Sequence, residues 1–226
     1  MPPQGSLRRG GQMDRPVEDF SLIETLRYEP ETGFVRLRLH LARLQRSARR
    51  LGFSAPQNVL RKLEQAVTGA AAPLRVRLTL DRDGKTEVTT APFVPLPPDT
   101  VWRVRIAATR LDSADKLLRV KTTRRAVYEA ARAEYRPDEA DEVLLLSEKD
   151  EVCEGTITSI FLEDGGGLFR TPPISAGLLA GVLRTELICQ RKARVGRIRL
   201  EDLKDRPLYV GNSLRGLIRA QLYGID

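Results

Sequence analysis

The sequence predicts a mixed α/β (α+β) protein of two lobes, and three observations carry that reading. Segments that alternate apolar and polar residues are interleaved along the chain with segments of helical spacing, so strands and helices take turns. The run Pro92 to Pro98 holds four prolines in seven positions, where neither a helix nor an interior strand persists. It separates a small N-terminal lobe, 17–95, from a larger C-terminal one, 96–226, behind a short arm, 1–16. Finally, 226 residues with 41% apolar side chains are enough for one large or two small domains with an ordinary core. A ligand cleft between two such lobes is the usual arrangement.

The elements follow in order. Met1 to Pro16 carries Arg8 and Arg9 with no apolar segment behind them, which reads as a flexible arm and not as a secretory signal. From Phe34 to Leu39 apolar and basic residues alternate as in the second strand of a hairpin. Leu41, Leu44, Ala48 and Leu51 then recur at helical spacing up to Gly52. Ser54 and Pro56 offer a cap and a first-turn proline for a second helix through Val59, Leu60, Leu63 and Val67. Leu74 to Leu80 and Thr86 to Phe93 flank Asp83-Gly84 as a hairpin. Beyond the prolines the pattern predicts a strand over Val101 to Ala108, a helix over Arg124 to Tyr135 and strands over Glu142 to Ser147 and Val152 to Leu162. A helix over Gly181 to Arg191 and strands over Arg194 to Leu200 and Leu208 to Gly211 complete the chain.

Composition narrows the chemistry. Cys153 and Cys189 form no CxxC pair, which argues for a reducing compartment. His40 is the one histidine, so a multi-histidine metal site is excluded and a serine triad could form only around that residue. The longest nearly apolar stretch, Ile174 to Leu183, is far short of the roughly 18 residues of a membrane span. The expected location is the cytoplasm, with no membrane partner. Only seven of the 38 basic residues are lysines, and the net charge is +8. The arginines are spread through every segment and aromatics are 5%, a pattern of a solvated surface more than of a nucleic-acid stripe.

A few positions could carry chemistry. Lys121 follows the strand-like stretch Leu117 to Val120 and precedes Thr122-Thr123, which could cap the next helix. Cationic neighbours there, Arg119, Arg124 and Arg125, would favour its amine form, as a Schiff-base nucleophile needs; read alone, it is a surface lysine at a helix start. Glu154 stands among apolar and small neighbours and, if buried, requires a cation or a strong donor; otherwise it faces solvent. Gly177 to Arg184 places small residues ahead of a helix whose backbone N–H groups could hold a phosphate, although the GxGxxG and GxxxxGK[ST] fingerprints are absent. Arg43 lies one turn beyond His40, and Gly211-Asn212-Ser213 ends a strand just before Arg215.

Taken in order, Leu22-Ile23-Glu24-Thr25-Leu26-Arg27, His40-Leu41-Ala42-Arg43-Leu44, Lys121, Glu154-Gly155-Thr156, Gly181-Val182-Leu183-Arg184 and Gly211-Asn212-Ser213 resemble the class IV aminotransferase family. These are the fold-type-IV pyridoxal 5'-phosphate (PLP) enzymes, like D-amino acid aminotransferase in fold. The likeness spans Phe20 to Ala220 and rests on the ordered series rather than on any one motif. It implies two lobes with the cofactor cleft between them. Lys121 would carry the cofactor covalently and later act as general base. Glu154 would pair with the pyridine nitrogen, Arg43 and the backbone of Val182 and Leu183 would hold the phosphate, and Ser213 would also bind the cofactor.

Within the family the pattern is most similar to that of the aminodeoxychorismate lyases, found alone or fused behind aminodeoxychorismate synthase component I. That similarity implies release of pyruvate and 4-aminobenzoate, a step of folate biosynthesis, with a synthase subunit as a candidate partner. A substrate with two carboxylates suits bidentate arginines, for which Arg27 and Arg215 are the candidates, with Asn212 beside them. Leu183, where branched-chain enzymes usually have threonine, and Asn212-Ser213, in place of their Gly-Thr ending, favour the lyase branch. Ser159 replaces a common asparagine, and Ala180 and Arg219 replace common prolines. The alternatives are a branched-chain or D-amino acid transaminase of the same fold and, from another class, a basic nucleic-acid-binding module without catalysis. The resemblance also implies a homodimer.

Overall fold

Strand β1 (Leu22–Glu29) sets the geometry of the first lobe. In the computed structural model, which describes residues 20–204 and 206–224, the chain turns from β1 through β2 (Gly33–Phe34) into helices α1 (Leu37–Leu51) and α2 (Val59–Val67), then the hairpin β3 (Leu74–Leu80) and β4 (Thr86–Pro92). The arm expected over 1–16 lies outside the described residues. The four strands form an antiparallel sheet in the order β2-β1-β3-β4. Alternation then divides its two faces. Leu22, Leu26, Val76 and Leu78 pack under Leu44 and Leu63 of the helices, while Ile23, Thr25, Arg75 and Arg77 turn to the opposite side and line a cleft.

Two local expectations fail here. The alternation of Phe34 to Leu39 gives only the two-residue β2, because Arg36 adopts a left-handed conformation (φ 58°) and α1 begins at Leu37. The apolar spacing of Leu37, Leu41 and Leu44 on a packed face outweighs a short period-two run. Ser54 and Pro56 do not start α2. Asn58, at φ 53°, precedes it, and the Ser54 amide instead donates to the Arg82 carbonyl at 2.9 Å. At the other end of α1, Gly52 takes the left-handed conformation (φ 69°), and the Phe53 amide closes the helix on the Ala48 carbonyl at 2.9 Å.

Past the prolines the chain builds β5 (Val101–Leu111), α3 (Ala126–Ala133), β6 (Glu142–Ser147), β7 (Val152–Gly155), β8 (Ser159–Glu163), β9 (Phe169–Thr171), α4 (Val182–Cys189), β10 (Ala193–Val195), β11 (Leu208–Asn212) and β12 (Gly216–Leu222). Eight strands form one mixed sheet in the order β10-β9-β8-β11-β12-β5-β6-β7. This order forces a curl. From β8 to β7 are five strand spacings, about 24 Å in a flat sheet, yet only residues 156–158 join them, a reach of about 14 Å at most. The sheet therefore wraps around Val104, Leu144, Ile160, Val210 and Ile218, and α3 packs outside on Ala107, Val143 and Leu145.

The single strand expected over Val152 to Leu162 is thus two strands broken at 156–158, and the cause is Glu142. Its buried carboxylate accepts from the Thr156 amide at 3.1 Å, the Ile157 amide at 3.2 Å and the Thr158 hydroxyl at 2.8 Å. Leu117 to Val120 is not extended either. Residues Lys116–Arg119 make a 3₁₀ turn that Asp115 caps through the Leu117 amide at 2.8 Å. Thr122 and Thr123 do not cap α3, whose first flanking residue is Arg125. The Thr123 hydroxyl accepts from the Ser21 amide at 3.0 Å. Past β10, Ile198 drops into the core and ends the expected strand over Arg194 to Leu200. Among the described residues no helix is long and apolar enough to cross a membrane.

Candidate active site

The non-helical face of the first sheet and the open end of the curled sheet enclose a cleft of about 500 Å³. Lys121 enters it from a segment stitched to β1: the Ile23 amide donates to the Lys121 carbonyl at 3.0 Å, and the Thr123 amide donates to the Ser21 carbonyl at 2.9 Å. Its side chain is partly exposed, toward the cleft. Burial, reinforced by the Arg43 and Arg125 guanidiniums, lowers its ammonium pKa to about 8. A larger share of reactive amine exists at neutral pH than on an ordinary lysine.

Glu154 closes the end of β7 and is 5% exposed. The Tyr128 hydroxyl donates to its Oε1 at 2.7 Å and the Leu179 amide to its Oε2 at 3.2 Å. Burial outweighs these donors and the nearby Lys121 and Arg125, and raises its pKa to about 7. Among the described residues the donors bonded to it, Tyr128 and Leu179, are both neutral, and a buried anion calls for a cation. Arg125 packs over the Tyr128 ring, 4.9 Å from its centroid, and donates to the Thr156 carbonyl at 2.6 Å, which fixes this wall.

Elsewhere in the cleft α1 presents His40 and Arg43 to Glu24 of β1. Arg43 Nε and Nη2 donate to Glu24 at 2.8 and 2.6 Å, and His40 Nδ1 meets the same carboxylate at 2.6 Å. The far ring nitrogen, Nε2, lies 2.8 Å from Ser213 Oγ. Arg43 also reaches the Ala180 carbonyl, at 3.4 Å, just ahead of α4. There Gly181 leaves room that a side chain would fill, since a Cβ would stand 2.5 Å from Ser159 Oγ. Val182 and Leu183 open the helix and line the cleft, so Arg43 and the positive end of α4 meet at one corner, a charge arrangement that suits an anion.

The remaining expected residues fall differently. Asn212 is in the wall, but its carboxamide holds the turn: Oδ1 accepts from the Leu214 and Arg215 amides at 3.1 and 3.0 Å, and Nδ2 donates to the Ile157 carbonyl at 3.2 Å. Arg215 lines the cleft over Trp102. Arg27 does not line it. One residue pair farther along β1 than Thr25, it turns to Glu29 and stacks on Phe93, 5.0 Å from the ring centroid. Its register partner Arg75, with Arg77, stands in the cleft instead. Sequence reasoning missed these two, which look like the ordinary polar half of an alternating strand. It also missed Tyr128, hidden in a helical pattern. A signal existed for Arg75 and Arg77, two arginines at even spacing opposite the buried face.

An amine of lowered pKa, a buried carboxylate without a cation and a guanidinium beside a helix N-terminus fit one ligand chemistry in particular. It has an aldehyde, a basic ring nitrogen and a phosphate, the three functions of PLP. Residues 21–223 match the model of a protein family described as amino-transferase class IV. No curated protein among those compared matches the chain. Among solved structures, a candidate amino-acid aminotransferase from Mesorhizobium loti is 49% identical with a TM-score of 0.88, over 91% of this chain and 100% of that one. A candidate 4-amino-4-deoxychorismate lyase is 30% identical with a TM-score of 0.76, over 89% and 84%. The 4-amino-4-deoxychorismate lyase of Pseudomonas aeruginosa shares the fold at 22% identity, with a TM-score of 0.75 over 95% and 88%. Nothing in these relationships supports a nucleic-acid-binding module, and the chain belongs to the class IV aminotransferases, a family of PLP-dependent enzymes.

Proposed function

We propose that this enzyme is a 4-amino-4-deoxychorismate lyase, releasing pyruvate and leaving 4-aminobenzoate. The observation that carries the reading is the charge of the cleft. Arg75, Arg77 and Arg215 line it beside the Lys121–Glu154 pair, and among the described residues none of the three guanidiniums has a carboxylate bonded to it. Arg75 is close enough to Arg215 to depress its pKa, behind the effect of burial. Unneutralised guanidiniums on a site wall suit a substrate with more than one carboxylate.

Bound PLP supplies an electron sink for the pair released when a substrate C–H bond breaks. Lys121 and Glu154 would hold its aldehyde and ring nitrogen, and Arg43, Val182, Leu183 and Ser213 its phosphate. The protein's own steps follow from the residues. Glu154, ionised, would keep a proton on a ring nitrogen held against it. Lys121 Nζ, in its free amine form, would take the proton from the substrate carbon that bears the amine. Arg75 and Arg215 orient the substrate by its carboxylates, and aromatisation of the remaining ring drives loss of the three-carbon group, which is protonated to pyruvate. We infer a homodimer as the working form.

The 49% identical structure, a candidate amino-acid aminotransferase, supports a second reading, transamination on the same residues. One assay separates them. Purified protein supplied with aminodeoxychorismate yields pyruvate, followed by coupled oxidation of NADH. Absence of pyruvate together with conversion of the cofactor to its amine form by simple amino acids establishes the transaminase. In the same assay Arg75→Ala raises KM about 10- to 100-fold, the weight of a hydrogen bond to a charged group, and changes kcat much less. An unchanged KM would remove Arg75 from the substrate site.

A further inference from the structure

His40 is the one histidine of the chain, and its buried ring joins two elements that meet in the cleft. Nδ1 lies 2.6 Å from Glu24 Oε2, and Nε2 lies 2.8 Å from Ser213 Oγ. The protons along this chain can be assigned. Glu24 is ionised despite its burial, because Arg43 and His40 hold its pKa down to about 2. A carboxylate has no hydrogen to give, so Nδ1 carries one. Burial, with Arg43 and Lys121 against the attraction of Glu24, keeps the ring below its ordinary pKa, and at neutral pH Nε2 is bare. The Ser213 hydroxyl therefore donates to Nε2.

That assignment has a consequence at the anion corner. Ser213 lines the same cleft as Arg43, Val182 and Leu183. With its hydrogen committed to His40, it turns only lone pairs toward any anion there, and oxygen would face oxygen. A proton on Nε2 reverses the polarity: Nε2–H donates to Oγ, and the hydroxyl hydrogen is freed to donate to the anion. The proton comes from solvent, and no bond other than hydrogen bonds changes.

We propose that Glu24, His40 and Ser213 form a proton-coupled positioning chain, in which a dianion entering beside Arg43 places a proton on His40 and converts Ser213 from acceptor to donor. The proposal rests on reading that corner as the cofactor's phosphate site. The charged groups around His40 set its sign. Glu24 from β1 favours the second ring proton. Arg43 on its own helix and Lys121 from the segment ahead of α3 oppose it. Arg36 stands behind Ser213, donating to its carbonyl at 3.2 Å and paired to Glu186 of α4 at 2.6 Å. Two added negative charges offset the opposing cations, so the ring gains its proton with the anion and not before it.

The single histidine makes the test direct. Tag-free, cofactor-free protein labelled with ¹⁵N in histidine is titrated with sulfate, a dianion that does not itself titrate near neutrality and does not consume Lys121. At about pH 7 the free protein shows one protonated and one bare ring nitrogen, and saturation with sulfate converts both to the protonated form. Sulfate affinity weakens with rising pH, by up to about tenfold per pH unit, between the lowered pKa of the free ring and the raised pKa of the sulfate-bound one, the linkage of one proton. Because Glu154 and Lys121 also titrate, at about 7 and about 8, the ring-nitrogen signal decides. In Ser213→Ala, sulfate binds with the ring still neutral. A neutral ring in the sulfate-saturated native protein, or an equally protonated ring in Ser213→Ala, overturns the proposal while leaving the phosphate site standing. Failure of sulfate to bind, or binding indifferent to Arg43→Gln, removes the phosphate-site reading and this proposal with it.

Discussion

Lys121→Ala lowers turnover by at least about 10³-fold, because in the proposed mechanism one amine serves as both attachment point and base, and each role alone contributes on the order of 10² to 10⁴. Borohydride reduction of the native enzyme with PLP fixes the cofactor on the peptide containing Lys121, and the variant yields no such adduct. The fold survives the change, since the contact of this residue with β1 is made by its backbone carbonyl. The lowered pKa adds a sign. A shift from 10.5 to about 8 raises the amine fraction at pH 7 roughly 300-fold over an ordinary lysine. Capture of PLP by the cofactor-free protein should accelerate about tenfold per pH unit up to about pH 8 and then level off. A rate flat across that range, or an adduct on another lysine, contradicts the assignment.

How far this site could be read without a structure depends on the kind of interaction. Lys121, Glu154 and Arg43 stand in short local patterns, so the ordered series pointed to them. The expectation that β3 and β4 make a hairpin, or that Glu142 to Ser147 is a strand, also rests on local spacing, and the structure has both. What failed was decided at a distance. The break after Gly155 depends on a carboxylate thirteen residues earlier in the chain, whose acceptors hold the turn. The choice between Arg27 and Arg75 depends on which of two register partners reaches the cleft and which meets Glu29 and Phe93. The helix starting at Leu37 is dictated by the sheet it covers, against a local alternation that looks extended. A strand as short as β9 gains its identity only from neighbours on both sides.

Glu154→Gln separates function from stability. Kinetically it lowers kcat about 10² to 10³-fold, the effect of deleting one preorganised electrostatic partner, because a carboxamide cannot hold a proton on the ring nitrogen. In the cofactor-free protein the same change acts in the opposite direction. Burial raises the carboxyl pKa from 4.5 to about 7, so between these values the folded state binds more protons than the unfolded one. Stability then falls as pH rises from about 4.5 to about 7, by on the order of 3 kcal/mol for this group. Glutamine carries no charge to desolvate and can still accept from the Tyr128 hydroxyl. Cofactor-free Glu154→Gln should therefore melt above the native protein at about pH 8 and close to it at about pH 4.5. PLP should narrow the difference at the higher pH, because the ring nitrogen provides the ionised carboxylate with its missing cation. Equal melting temperatures at both pH values would mean that Glu154 is already satisfied by its hydrogen-bond donors, and that its role toward the ring nitrogen is not the reason for its burial.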